Sequence, residues 1–295
     1  NTENEVMGKV FNAQLSLEAT QTVTPTKTAV CKRATILHTE ECTQTDTSSY
    51  CSGDGYTASG SMGTTTITYG SLGTKGVLTS GDAFDCDVNG DGVYDSTTER
   101  FYYVSDMTNG VTQDSNTAVL IYYNNVNGGV ASNSTSYAYD ESRVNNNGPV
   151  TALAQLPTTS QWKNVSLTNT TRAITNESGG NTTSAGNLPT AFSYEGYAAR
   201  LLTAQEVSAG CEFTIGGQTT GKLSKKCKYL MENTKYSSSS LGTSGEWLES
   251  PYSSSSNLAC NVSASDRRVG GSTVYFNSYY GVRPAIEVAK TDIEY

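Results

Sequence analysis

The stretch Leu258–Tyr280, LACNVSASDRRVGGSTVYFNSYY, runs directly into Gly281–Val288, GVRPAIEV, and the contrast between the two decides how the chain is read. The second part reads as a buried strand. Val282, Ala285, Ile286 and Val288 are apolar, Gly281 and Pro284 punctuate the run, and it is too short for a helix. The first part follows a different rule. From Ser250 to Ile286 there is no Lys, Glu, Gln, Met or Trp, whereas Ser, Gly, Asn and Tyr abound. Tyr offers a large rigid contact area and the small residues adapt their hydrogen bonds, so this composition is that of a recognition surface.

The whole chain supports such a setting. Its 295 residues suffice for a substantial core in one or two domains. Only 16% of residues are charged, and Ser, Thr, Asn, Gly and 19 Tyr make up the balance, a β-rich and loop-rich style typical of extracellular proteins. The net charge of −9 and the absence of a Lys/Arg cluster argue against a nucleic-acid partner. No apolar run is long enough to span a membrane, and the opening on Asn1 reads as a processed or a truncated form, with whatever targeted or anchored it lying upstream.

The seven cysteines, Cys31, Cys42, Cys51, Cys86, Cys211, Cys227 and Cys260, point to an oxidising compartment. There is no CxxC pair and only one histidine, His38, so a Cys/His zinc site is not expected. The spacing favours bridges within the first four and a Cys211–Cys227 bridge, leaving Cys260 odd; buried thiols throughout are the alternative.

Along the chain, EVMGKVFNAQLSLEA (5–19) has helical spacing at Val6, Val10, Phe11 and Leu15, with Thr2 and Glu5 as a capping box. Two readings stay open: a helix packed on the domain, or the soluble remainder of a pilin-like stem. Residues 31–81 read as a small disulfide-stapled β region after an N-terminal helix and linker over 1–30, and 82–295 as the main domain. His38 reads as structural. ERFYYVSDM and NTAVLIYYNNV read as a hairpin burying Phe101, Tyr103, Val119 and Ile121 on one face, and 124–149 as a long surface loop. Thr203 followed by Glu206 in RLLTAQE is a capping box opening a short helix, and GEWLESP is a strand with a core Trp247.

One motif carries sharp chemistry. In DCDVNGDGVYDSTTE, Asp87, Asn89, Asp91 and Asp95 follow a D-x-N-x-D-G-x-x-D spacing with Gly92 at the turn, which converges oxygens suited to calcium. The bidentate Glu that an EF-hand needs at the twelfth position is absent: Thr98 stands there and Glu99 lies one place beyond. The expectation is a structural calcium loop of another kind; the alternative is an acidic turn without metal.

The order RLLTAQE, GEWLESP, YYGVRPAIEV resembles the C-type-lectin-like fold of the formylglycine-generating enzyme group, and more closely the variable proteins of diversity-generating retroelements from gut bacteria. The resemblance implies an α+β, C-type-lectin-like fold over about 82–295, with a variable region at about 250–280 between the Trp strand and the closing strand. It also implies that AAC-like codons are randomised at their first two bases, which never yields Lys, Glu, Gln, Met or Trp. An odd Cys260 fits that origin. The diversified, exposed positions implied are Cys260, Asn261, Ser263, Ser265, Asp266, Arg268, Gly270, Gly271, Ser272, Tyr275, Asn277 and Tyr279, with Val262, Val269 and Val274 pointing inward.

No P-loop, GxGxxG, HExxH or nucleophile elbow occurs, and the cysteines offer no recognisable formylglycine-generating pair, so no catalysis is expected. The expected role is a secreted or surface-displayed bacterial binding protein for a protein or glycan ligand on another cell or phage. Tyr275 and Tyr279 would anchor the ligand, and Asp266, Arg267 and Arg268 would select by charge. The alternatives are a pilin or pilus-tip subunit with filament neighbours, and a lectin that uses calcium directly.

Overall fold

The computed structural model describes residues 28–42, 65–108, 113–172, 191–211, 225–232, 245–252, 255–263, 268–276 and 279–295. The helix expected at the N-terminus, together with Cys51, Ser265, Asp266, Arg267 and Asn277, lies outside them. The described chain is mixed α+β, with many short strands and few helices.

The strands are β1 (Cys31–Arg33), β2 (Thr39–Cys42), β3 (Thr65–Thr68), β4 (Ala83–Cys86), β5 (Arg100–Thr108), β6 (Gln113–Tyr122), β7 (Val126–Asn127), β8 (Val130–Ala131), β9 (Thr171–Arg172), β10 (Phe192–Ser193), β11 (Gly245–Pro251), β12 (Leu258–Ser263), β13 (Arg268–Thr273), β14 (Ala285–Ala289) and β15 (Ile293–Glu294). Two α-helices, α1 (Val150–Leu153) and α2 (Ala204–Cys211), and a 3-10 segment at Lys225–Met231 accompany them. The main sheet has the order β14-β6-β5-β4-β1-β15, antiparallel except for the β1/β15 pair, and β11-β12-β13 form a second, antiparallel sheet.

The expected hairpin forms, but both of its faces are buried. Phe101 and Tyr103 pack in one cluster with Leu120, Tyr122, Trp162 and Ile286, whereas Val119 and Ile121 pack in the other with Tyr102, Val104, Leu202 and Val207. The four residues expected on one face are therefore split between two. The near-continuous apolar runs FYYV and AVLIYY are those of a strand pair covered on each side. The sheet also crosses the boundary drawn at residue 81, because β1 pairs with both β4 and β15 and Cys31 is bridged to Cys86. The stretch 124–149 is no plain surface loop: Val126, Ala138, Tyr139 and Asn145 are buried in it.

Charged side chains organise this interior. Arg100, Arg172, Arg200 and Arg283 are almost completely buried, and each faces a carboxylate: Asp85 at 2.7 Å, Glu249 at 2.8 Å, Glu206 and Glu287 at 2.6 Å, and Glu246 at 3.7 Å. The helix start at Thr203 is a formed capping box. Thr203 N donates to Glu206 Oε2 at 2.9 Å and Glu206 N to Thr203 Oγ1 at 3.1 Å. Arg200 then clamps this box to the closing strand, donating to Glu206 through Nη1 and Nη2 and to Glu287 on β14 through Nε.

Candidate functional site

The closing segment is held from beneath by the Trp strand. Trp247 N donates to Gly281 O at 3.1 Å, Gly281 N donates to Gly245 O at 2.9 Å, and Trp247 Nε1 donates to Tyr137 O at 2.7 Å. A Cβ at Gly281 would collide with the Asn125 side chain, so only glycine lets the chain pass here. The segment 137–140 is laced to the same region, with Tyr137 N on Tyr280 O at 2.9 Å and Tyr139 N on Val274 O at 2.8 Å.

On that support stands a ladder of rings. Tyr139 meets Trp247 at 5.7 Å between centroids, Trp247 meets Tyr280 at 4.8 Å, Tyr280 meets Tyr279 at 6.4 Å, Tyr279 meets Phe276 at 5.9 Å, and Phe276 meets Tyr275 at 5.3 Å. The foot of the ladder is fully buried, whereas Tyr275, Phe276 and Tyr279 are 38%, 42% and 47% exposed. Edge-to-face and tilted rings at these spacings fix one another's orientation. At the outer end the Arg143 guanidinium lies 4.8 Å over the Tyr275 ring, and Arg143 itself holds a left-handed backbone at φ 70°. Neither Arg143 nor Phe276 was among the residues singled out on sequence, because a contact between positions so far apart leaves no local pattern.

The structure divides the twelve expected positions. Arg268, Gly271, Tyr275 and Tyr279 are exposed and Gly270 and Ser272 half-buried, while Val262, Val269 and Val274 point inward as expected. Cys260, Asn261 and Ser263 are buried, contrary to the expected exposure. They lie on β12, the middle strand of its sheet, which is covered on both faces; alternation along a sequence implies one open face and cannot register a second cover. Cys260 keeps its thiol, directed at Pro251 O at 3.8 Å. Gly271 is exposed, yet a Cβ there would stand 2.7 Å to 2.9 Å from the Tyr252 ring, so a side chain must displace that ring.

The acidic loop lies elsewhere, between β4 and β5, packed on Asn164, whose Nδ2 donates to Asp87 O at 2.8 Å. The loop is wound around Asp87: Oδ1 accepts Gly90 N and Asp91 N, and Oδ2 accepts Gly92 N at 3.0 Å, with Gly92 at φ 83°. Asn89 Oδ1 accepts Asp91 N, and Asp91 Oδ1 accepts Val93 N. Asp95 departs from the expected set. Its Oδ1 caps the following turn, accepting Thr97 N and Oγ1 at 2.7 Å, and these bonds lower its pKa. Glu99 instead turns back into the loop, with Oε2 accepting Asp95 N at 3.2 Å. Burial, with Asp91 and Asp87 nearby, raises its pKa against the opposing backbone bonds. Among the described residues no group of three or more His, Cys, Asp or Glu is placed to hold a metal ion.

The bridge Cys211–Cys227 forms as expected, and Cys31–Cys86 falls within the first four. His38 lies with Nδ1 at 2.5 Å from Glu232 Oε1 and Nε2 at 2.8 Å from Ser96 O, and Tyr102 OH also donates to Glu232. Burial of the imidazole works to lower its pKa, but the Glu232 bond and charge outweigh this and raise it. No described helix is long and apolar enough to cross a membrane. No protein-family model, curated protein or solved structure matches the chain.

Proposed function

We propose that this chain is a secreted or surface-displayed binding protein with a C-type-lectin-like scaffold, whose segment at about 250–280 is a variable, retroelement-diversified recognition surface. The observation that carries the reading is the ring ladder. Exposed aromatics are set on a rigid, buried base, which gives large contact area at small entropic cost. The five residue types missing from Ser250 to Ile286 support the diversification. The burial of Cys260, Asn261 and Ser263, and the Tyr252 ring standing against Gly271, narrow the described positions free to vary to Arg268, Gly270, Ser272, Tyr275 and Tyr279, joined by Phe276 and Arg143 as neighbours. The ligand class is a protein or glycan surface, bound through Tyr275, Phe276 and Tyr279 with charge selection from Arg268.

Sequencing this gene across a natural population tests the reading. Substitutions are expected to concentrate at the five positions above, to fall on the first two codon bases, and to match adenines of a near-copy of the coding segment beside a reverse transcriptase. Variation spread evenly over the chain, or a gene without such a copy, refutes it.

A further inference from the structure

The β4–β5 loop holds a buried charge that the rest of the fold leaves unanswered. Glu99 is 4% exposed, its Oε1 has no hydrogen-bond partner, and no Lys or Arg among the described residues forms an ion pair with it. Its charged neighbours are Asp91 and Asp87, and only the backbone N–H groups of Asp95 and Asn89 offset them. A solitary buried carboxylate oxygen beside two like charges is costly unless something positive joins them.

On sequence Glu99 stands one place past the position an EF-hand requires, but the turn at 96–99 shortens the path. Glu99 N donates to Asp95 O at 2.8 Å, and the side chain folds back so that Oε2 reaches Asp95 N while Oε1 stays unbonded. Asp87 is oriented by three backbone N–H groups, and each of its oxygens retains lone-pair capacity. Asn89 and Asp91 are at the exposed rim and are held only by bonds within the loop. Asp95 is turned instead toward the following turn, its Oδ1 accepting Thr97 N and Oγ1.

We infer that the loop 87–99 is a calcium site whose side-chain ligands are Asp87, Asn89, Asp91 and Glu99, with Glu99 in place of Asp95. Hard oxygens alone, with the Asp87 and Glu99 carboxylates buried and Asn89 and Asp91 at the exposed rim, suit calcium, which accepts six to eight oxygens in irregular geometry, better than magnesium, which demands an octahedron. The rim ligands move inward as the ion binds. Bound calcium would fasten the connection between two central strands, since Tyr122 OH already donates to Thr98 O at 2.7 Å within the same turn.

The test uses the full chain, disulfides intact, stripped with chelator. Equilibrium dialysis with calcium alone, and terbium luminescence excited through Tyr94 inside the loop, should both show one saturable site. Glu99→Gln, close to isosteric, should weaken binding at least tenfold, and Asp95→Asn should change it less than twofold. Circular dichroism identifies folded variants; should Glu99→Gln not fold, Asn89→Ala at the exposed rim replaces it with the same expected loss. Absence of saturable binding by the wild-type chain overturns the inference, as does loss in Asp95→Asn with Glu99→Gln unaffected.

Discussion

Replacing Arg200 with Met should be among the most damaging single changes available to this protein. The guanidinium is fully buried and makes three side-chain bonds: Nη1 to Glu206 Oε2 at 2.8 Å, Nη2 to Glu206 Oε1 at 2.6 Å, and Nε to Glu287 Oε1 at 2.6 Å. Removing one partner of a buried ion pair costs about 3–5 kcal/mol, because the charge left behind has lost both water and its counter-ion. Here two carboxylates are left, each keeping one backbone donor, Thr203 N for Glu206 and Thr168 N for Glu287, so we place the loss within that range. Against a typical total stability of about 5–15 kcal/mol, that is a large share. At about 2–4 °C per kcal/mol for a chain approaching this size, Tm should fall by roughly 6–20 °C. Urea unfolding under non-reducing conditions, followed by fluorescence of the buried Trp162 and Trp247, measures it. The combined variant Arg200→Met, Glu206→Gln, Glu287→Gln should be less destabilised than the sum of the single changes, because it removes the stranded charges as well. A loss below about 1 kcal/mol for Arg200→Met, or strict additivity, would refute the view that this network ties α2 to β14.

Two further outcomes follow from the same interior and its surface. Burial pushes the Glu246 carboxyl up to about 8, since Arg283 at 3.7 Å is too far for a hydrogen bond. The folded state then retains a proton that the unfolded chain releases near its ordinary value of 4.5, so this group makes stability fall as pH rises from there to about 8, with no further change above. Urea midpoints between pH 5 and 9 should show this slope in the wild type and a flatter one in Glu246→Gln. On the recognition surface, Tyr279→Ala should change stability by no more than about 0.5 kcal/mol, whereas Trp247→Ala at the buried foot of the ladder should cost about 3–5 kcal/mol. Thermal melts of the two variants side by side make the comparison.

Much of the framework was legible because it rests on local rules. The capping box at Thr203 and Glu206, the Trp247 strand, the closing strand, the β5–β6 hairpin and the Cys211–Cys227 bridge all follow from spacing that physics reads over a few residues. The errors share a different origin. Splitting Phe101 and Tyr103 from Val119 and Ile121, burying Cys260, Asn261 and Ser263, and sinking Tyr139 into the core all depend on what covers an element from outside it.

The acidic loop and the aromatic ladder show the same division. Spacing alone shows oxygens alternating over Asp87, Asn89 and Asp91, and composition alone places Tyr275 and Tyr279 in a segment without Lys or Glu, because both belong to the chain before it folds. It takes the folded chain to bring the Glu99 carboxylate back onto Asp95 N with one oxygen unbonded, to turn Asp95 toward Thr97, and to set Trp247, Tyr280 and Arg143 beneath and beside the exposed rings. Those relations are made by chain segments that meet through folding, and their energies come from burial and from partners that no neighbouring residue can supply.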